Sequence, residues 1–160
     1  MSAPAAVGTA TAATVVIITS LVMQRDASSL AEIKRGFPRS ASPEERARRK
    51  SLERVRKLLR YILCVEVGHP VRHVAAALGY KHHGEVMDAN EEVERWREDP
   101  YVDDMISDLG DAVNRVIEIV EAFQATGAID DPEAALQAMG KHLREKRAGM
   151  DEPRREMVAA

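Results

Sequence analysis

Cysteine and aromatic residues are scarce in this sequence. Its 160 residues include one cysteine, Cys64, and 4% aromatic side chains. A single thiol cannot form a disulfide within the chain, and it excludes zinc fingers that are built on cysteine pairs. It is compatible with a reducing cytoplasm. With 45% hydrophobic and 31% charged residues, the rest of the composition is that of a soluble domain with a core of aliphatic side chains.

Charged side chains are absent before Arg25, and Val15 to Met23 is almost entirely apolar. Without a basic start, this region does not resemble a secretory signal peptide. Ala3 to Met23 has the length of a membrane helix, but Thr, Ser, Gly and Pro dilute its hydropathy, so a membrane span is not expected. Apart from a short patch at Ser28 to Lys34, helical periodicity is missing, so residues 1–41 are predicted to form a flexible or poorly ordered extension.

The motifs of common catalytic sites are also missing. The Gly140-Lys141 pair has Ala135 where a phosphate-binding loop needs its first glycine, and neither Gly-x-Ser-x-Gly nor His-Glu-x-x-His occurs. Glu66, His69 and His73 are spaced like metal ligands, but a Gly-His-Pro step should prevent them from sharing one helix face. We therefore predict no enzyme, no metal, no cofactor and no small-molecule substrate.

Charge is distributed unevenly along the chain. Residues 39–72 contain ten Lys and Arg against four Glu, whereas residues 85–131 contain fifteen Asp and Glu against three Arg. A basic block followed by an acidic block indicates two surfaces with different partners. The alternative is two solvated helix faces of opposite sign that partly neutralise each other.

A basic helix is predicted from Pro43 to about Val67. Ser42 stands at its N-cap, Pro43 at its first helical position, and Glu45 three residues after the cap, which together form a capping box. Apolar residues then recur at helical spacing, at Leu52, Val55, Leu59, Ile62 and Leu63.

Two shorter helices are predicted to follow. The step Gly68-His69-Pro70 ends the basic helix and opens the next one, Gly79-Tyr80 forms a turn, and a third helix runs from about His82 until Asp99-Pro100 stops it. A short helix, a glycine-containing turn and a longer helix make up a helix-turn-helix, which we place at about residues 70–99. The predicted core comprises Leu59, Ile62, Val74, Leu78, Val86, Val93 and Trp96.

The remaining sequence predicts two more helices, from Val102 to Ala125 and from Pro132 to Arg147, with a disordered end from Gly149. The first has a heptad-like series, which is explained either by core packing or by a homodimer seam in the helix around Ile106–Phe123. The series consists of Ile106, Leu109, Val113, Val116, Val120 and Phe123.

The whole chain is predicted to be all-α, a helix-turn-helix bundle with additional C-terminal helices. Residues 42–125 form its DNA-binding domain, and residues 126–160 form a C-terminal helix and tail.

The basic residues favour double-stranded DNA as the partner. Cationic side chains on the basic helix can neutralise phosphates, which supplies most non-specific affinity. The first residues of a recognition helix reach base edges, and its N-terminal end attracts phosphate. Glu85 and Asp88 would repel phosphate if they faced the groove. The candidate DNA contacts are Arg48, Arg49, Lys50, Arg54 and Arg56 on the basic helix, and Lys81, His82 and His83 at the start of the third helix.

Residues from about Arg48 to Val93 resemble the carboxy-terminal DNA-binding domain of the bacterial chromosomal replication initiator DnaA. The family signature Gly-Gly-Arg-Asp-His-Thr-Thr-Val corresponds here to Gly79-Tyr80-Lys81-His82-His83-Gly84-Glu85-Val86. Upstream, Arg54-Val55-Arg56 is similar to the family's Arg-Pro-Arg, and Arg48-Arg49-Lys50 falls where the family has its basic loop.

The resemblance implies roles for individual residues. His83 matches the family's base-contacting His, Lys81 replaces an Arg, and Arg48 matches the minor-groove arginine. His82 replaces an Asp, while Gly84 and Glu85 replace two Thr, so the residues that read the initiator's own DNA site are mostly altered. The family's ATPase module is absent from this sequence.

The function we expect from these patterns is that of a DNA-binding regulator of transcription or replication, cytoplasmic and nucleoid-associated. The alternative is a protein-interaction module that kept the helix-turn-helix fold, lost DNA binding and uses its acidic helices against a basic partner. The position of Glu85 and Asp88 distinguishes these two hypotheses.

Overall fold

Residues 6–21 and 42–159 are those that the computed structural model describes, and every regular element among them is helical. The elements are α1 (Val7–Leu21), α2 (Pro43–Tyr61), a π-helical turn (Ile62–Glu66), α3 (Val71–Leu78), α4 (Gly84–Trp96), α5 (Pro100–Ala125) and α6 (Pro132–Ala159). The predicted all-α class is confirmed.

Helix α1 lies in the core. Ala10, Ala13 and Ile18 have no exposed surface, and the helix packs against α6, α5 and α2. The prediction of a poorly ordered extension is therefore wrong for residues 7–21, whereas residues 1–5 and 22–41 lie outside the described part of the chain. A helix that is enclosed on most sides carries no polar face, so its sequence shows no amphipathic period.

Two buried threonines of α1 satisfy their hydroxyl groups within the helix itself. Thr11 donates to the carbonyl of Val7 at 2.6 Å, and Thr14 donates to the carbonyl of Ala10 at 2.7 Å. Because these bonds remove the cost of burying the hydroxyl groups, threonine can stand in the core here.

The basic helix α2 begins at Pro43 as predicted but ends at Tyr61, six residues before the predicted end. The chain continues as a π-helical turn, in which the amide of Val67 donates to the carbonyl of Ile62 at 2.9 Å. This turn brings Glu66 against α5. A Cβ atom built on Gly110 would stand 2.6 Å from Cγ of Glu66, so the close approach depends on glycine at position 110.

Arg97, between α4 and α5, joins four elements through one guanidinium group. It donates to Asp103 and Ser107 of α5, to the hydroxyl of Tyr61 at 2.9 Å and to Glu66 at 3.2 Å. The hydrogen bond to Asp103 is the main reason that the pKa of Arg97 is raised above its ordinary value. The end of α4 is thus held against α2, the π-helical turn and α5.

Tyr61 belongs to the same network. Its hydroxyl donates to Glu94 at 2.7 Å. Burial, reinforced by that hydrogen bond, raises the pKa of Tyr61 to about 12.

The predicted core is confirmed except at one position. Trp96 is only half-buried and packs at the edge of the core. It lies in the last turn of α4, about 60° from the centre of the buried face, because positions 86, 89 and 93 define that face. The buried members of the predicted set are Leu59, Ile62, Val74, Leu78, Val86 and Val93.

Helix α5 starts at Pro100, with Asp99 as its N-cap, and packs its heptad-like series against α1. Ile106, Val113 and Val120 are buried within the chain. They cannot at the same time meet a second copy, so the dimer seam predicted through these three residues is wrong, and core packing explains their spacing. Phe123, at the end of the series, is exposed.

Helix α6 continues to Ala159, past the predicted end at Arg147, so the expected disorder from Gly149 is also wrong. Gly149 and Pro153 disfavour a helix here, whereas the Met, Glu, Arg and Ala residues around them favour one, and the helix runs through both positions. In the described ranges, no helix is both long enough and apolar enough to cross a membrane.

Candidate nucleic-acid interface

The turn between α3 and α4 begins at Gly79. This glycine has a φ of 78°, in the left-handed region where a side chain would be strained. The amide of Tyr80 then donates to the carbonyl of Ala75 at 2.9 Å, which closes the end of α3. The chain runs through residues 81–83 before α4 starts at Gly84, two residues later than predicted.

Lys81, His82 and His83 are all exposed and lie next to each other at the N-terminal end of α4. His83 occupies the N-cap position but makes no side-chain hydrogen bond to the helix. The first amide groups of α4 therefore have no side-chain acceptor, and an uncapped helix N-terminus is favourable for an anion. We call Lys81, His82, His83 and the first turn of α4 the α4 tip.

Tyr80 anchors this turn to α2. The guanidinium of Arg60 lies 4.0 Å from the centroid of the Tyr80 ring and also donates to its hydroxyl. Arg56 donates to the same hydroxyl at 3.1 Å and pairs with Glu53 at 2.9 Å. Arg60 is only 6% exposed, and Arg56 is partly buried. Arg56, a candidate DNA contact, is thus turned toward Tyr80.

Sequence reasoning missed Tyr80 and Arg60. By its sequence position Tyr80 is only a turn residue that replaces a glycine of the family signature, and Arg60 is one of many cations. The available signal was the spacing of Arg56 and Arg60, which places two guanidinium groups on one helix face. Nothing local indicated that an aromatic ring twenty residues later would meet them.

The positions of α2 and α4 relative to each other follow from two contacts. Lys57 pairs with Glu92 at 2.6 Å, and Tyr61 donates to Glu94 further along both helices. Arg56 and Arg60 contact Tyr80, so residues 56–61 of α2 lie against both the turn and the second half of α4. Lys50 and Arg54, earlier in α2, are exposed, and the side chains of Arg48 and Arg49 lie outside what the structure describes.

The outward side of α4 is acidic. Asp88 and Glu91 are exposed and lie opposite the buried Val86, Ala89 and Val93. Glu85 is also exposed, on the flank of the first turn. A groove that received this side of α4 would bring carboxylates close to phosphates.

The histidines and the cysteine give no sign of a catalytic or metal centre. Within the described ranges, no group of three or more His, Cys, Asp and Glu side chains could hold a metal ion. Burial raises the pKa of the Cys64 thiol, which disfavours the reactive thiolate at neutral pH.

Comparison of the chain with protein-family models, with curated proteins and with solved structures finds no match.

Proposed function

We propose that this protein binds double-stranded DNA through the α4 tip and supports that contact with cationic side chains at positions 48–54 of α2. The observation that carries the proposal is the run of three exposed side chains, Lys81 to His83, at an uncapped helix N-terminus. Lysine contributes charge toward phosphate, and the helix end contributes free amide donors and its dipole.

The two helices have different tasks in this proposal. Lys50 and Arg54, exposed on α2, contact phosphates on either side of the groove. Arg48 and Arg49 precede them in the sequence and are proposed for the same role. Arg56 acts indirectly, because its contact with Tyr80 holds the turn that presents the tip.

Contact through the end of α4 explains how an acidic helix can approach DNA. Asp88 and Glu91 lie one and two turns behind the tip, so an end-on approach keeps their carboxylates farther from phosphates than a side-on approach does. His83 is then the residue closest to a base edge, as the resemblance to the DnaA DNA-binding domain implies. We infer a relative of that domain that regulates transcription or replication at the nucleoid.

A fluorescence anisotropy titration with labelled genomic DNA fragments, repeated over a range of salt concentrations, tests this proposal. Lys81→Ala should weaken binding to every fragment about equally and reduce the log–log salt slope by about 0.9, because one phosphate is no longer neutralised. His83→Ala should cost about 1–3 kcal/mol on the preferred fragment and little on random DNA. Lys141→Ala, an exposed lysine on α6, is the matched control and should change neither.

Glu85→Thr restores the residue of the DnaA signature and should strengthen binding, because it removes a carboxylate beside the tip. The DNA-binding proposal is wrong if the wild-type protein fails to bind at low salt and Glu85→Thr creates no binding. It is also wrong if Lys81→Ala and Lys141→Ala weaken binding equally.

A protein-interaction module is the second candidate, and the exposure of Asp88 and Glu91 favours it. These carboxylates would meet a basic partner. A lysine-rich peptide should then bind in a salt-dependent way, weaken when Asp88 and Glu91 are both replaced by Ala, and be unaffected by Lys81→Ala. Equal binding by the wild-type and doubly substituted proteins would exclude this candidate.

A further inference from the structure

Helix α5 carries an apolar strip that residues 6–21 and 42–159, the described part of the chain, leave exposed. Tyr101 is 80% exposed, Met105 37%, Ile119 48% and Phe123 51%. At 100° per residue, these side chains and the two partly buried ones between them lie within about 60° of arc. We call this strip the α5 flank; it consists of Tyr101, Met105, Ala112, Val116, Ile119 and Phe123.

The α5 flank is centred away from the core face of the same helix and borders it at Val116, which packs against the core. The core face is centred near Val113 and Val120, about 100° around the helix from the flank. Packing against α1 therefore accounts for the core face and leaves the flank without an explanation. Scattered apolar residues on a surface are ordinary, whereas an apolar strip along six turns of one helix indicates an interface.

We propose that the α5 flank is a homodimer interface in which two α5 helices pack antiparallel about a two-fold axis at Ala112. The residues are placed symmetrically around that position. Tyr101 and Phe123 are each eleven residues from Ala112, and Met105 and Ile119 are each seven residues away. In an antiparallel pair, Tyr101 of one copy thus lies against Phe123 of the other, and Met105 lies against Ile119. The two-fold symmetry forms each of these contacts twice.

The small side chain at the centre favours this geometry. Ala112 lies where the two axes come closest, and alanine at a crossing point lets helices approach to the short end of the usual 8–10 Å range. The larger side chains toward both ends of the flank then close the interface on either side.

Charges beside the flank point to the same partner. Asp108 and Arg115 are exposed on one edge of the flank, four residues before and three residues after Ala112. Two-fold symmetry about Ala112 keeps this edge on the same side in both copies. Asp108 of one copy therefore lies level with Arg115 of the other, within about one residue along the axis. Both cross-pairs are attractive, and they offset part of the repulsion between the other exposed carboxylates on this edge, Asp104 and Asp111.

The size of the flank points to a weak dimer. The exposed parts of its side chains amount to roughly 400 Å² per copy, about half of the ~800 Å² that each partner buries in a standard stable interface. Interfaces of this size are typical of transient association, so the dimer should form only at high protein concentration and dissociate on dilution.

Sedimentation velocity from low micromolar to near-millimolar concentration tests the inference on the full chain. The wild-type protein should shift from monomer to dimer, and Phe123→Glu should weaken association at least tenfold while leaving the far-ultraviolet circular dichroism unchanged. Met87→Glu is the matched control, because Met87 is 54% exposed on α4, and it should dimerise like wild type. A protein that is monomeric throughout, or a dimer that tolerates Phe123→Glu, overturns the proposal.

Charge exchange tests the antiparallel register. Arg115→Asp should weaken the dimer, and adding Asp108→Arg in the same chain should restore it, because both cross-pairs become attractive again. Failure of the double variant to recover overturns the predicted register.

Cross-linking tests the position of the axis. In a Cys64→Ala background, Ala112→Cys should form an intermolecular disulfide under mild oxidation, since the symmetry axis brings the two thiols together. Ala122→Cys, exposed on α5 but outside the flank, should not. Faster cross-linking at position 122 than at position 112 overturns the proposed axis. None of these readouts depends on DNA binding.

Discussion

Replacing Gly110 with alanine tests the packing between the π-helical turn and α5. Two effects of opposite sign compete. Alanine in the middle of a helix is more favourable than glycine by about 1 kcal/mol. Against this, the new Cβ would stand 2.6 Å from Cγ and Oε2 of Glu66, so the carboxylate would have to move.

The cost of that movement can be estimated from the contacts of Glu66. Its carboxylate accepts from Arg97 at 3.2 Å, and both side chains are 20% exposed. Losing a hydrogen bond between charged groups costs about 1.5–3 kcal/mol. The loss outweighs the gain in helix propensity, so we expect Gly110→Ala to lower the free energy of unfolding by about 0.5–2 kcal/mol and Tm by a few degrees.

Urea denaturation of a double-mutant cycle with Glu66→Ala provides the assay. In the Glu66→Ala background the steric conflict is gone, so Gly110→Ala should stabilise by about 1 kcal/mol. The same substitution therefore changes sign between the two backgrounds. Gly149→Ala in α6 is the control, because a Cβ there meets no atom within 4 Å, and it should not destabilise either background. If Gly110→Ala stabilises both backgrounds equally, the Glu66 side chain does not obstruct a Cβ at position 110.

Three further predictions concern the core and the network around Arg97. Leu59→Ala should lower the free energy of unfolding by about 2–5 kcal/mol because Leu59 is 1% exposed. Trp96→Ala should lower it by less, despite the larger side chain, because Trp96 is half-buried. The reverse order in urea denaturation would contradict that half-burial. Ala10→Leu should destabilise by about 1–3 kcal/mol because Ala10 is fully enclosed; an unchanged denaturation midpoint would place α1 outside the core. The pKa of Tyr61 is raised from 10.0 to about 12, so its neutral form stabilises the fold fully below pH 10 and loses that contribution as pH rises through about 12. Tyr61→Phe should show a smaller loss of stability over this alkaline interval, and equal losses would contradict the prediction.

The α3–turn–α4 region could be predicted because its signals are local. Pro70 and Gly79 act on the backbone of their own and neighbouring residues, so the start of α3 and its end follow from residue identity alone. The alternation of apolar residues then locates the buried faces, and Val74, Val86 and Val93 are indeed buried.

Helix α1 and the anchor of the turn could not be predicted in this way. Prediction from amphipathic periodicity requires a polar face, and α1 has none because other helices surround it. The contact of Tyr80 with Arg60 joins residues that are twenty positions apart, and local sequence does not reveal which distant side chains will meet. Charge and position alone identify the candidate DNA contacts, which is why Arg56 is among them although its guanidinium faces Tyr80.

The enclosure of α1 has a consequence for the order in which the protein folds. Its main packing partners, α5 and α6, begin about 80 to 110 residues further along the chain. During synthesis α1 lacks most of the surface that it packs against until α5 and α6 have been made, whereas α4 can meet α2 much earlier. An uncharged apolar segment thus remains without most of its contacts until late in synthesis. Nascent chains should therefore be most prone to aggregate through α1 before α6 is complete. A chaperone that binds short apolar segments should bind α1 first.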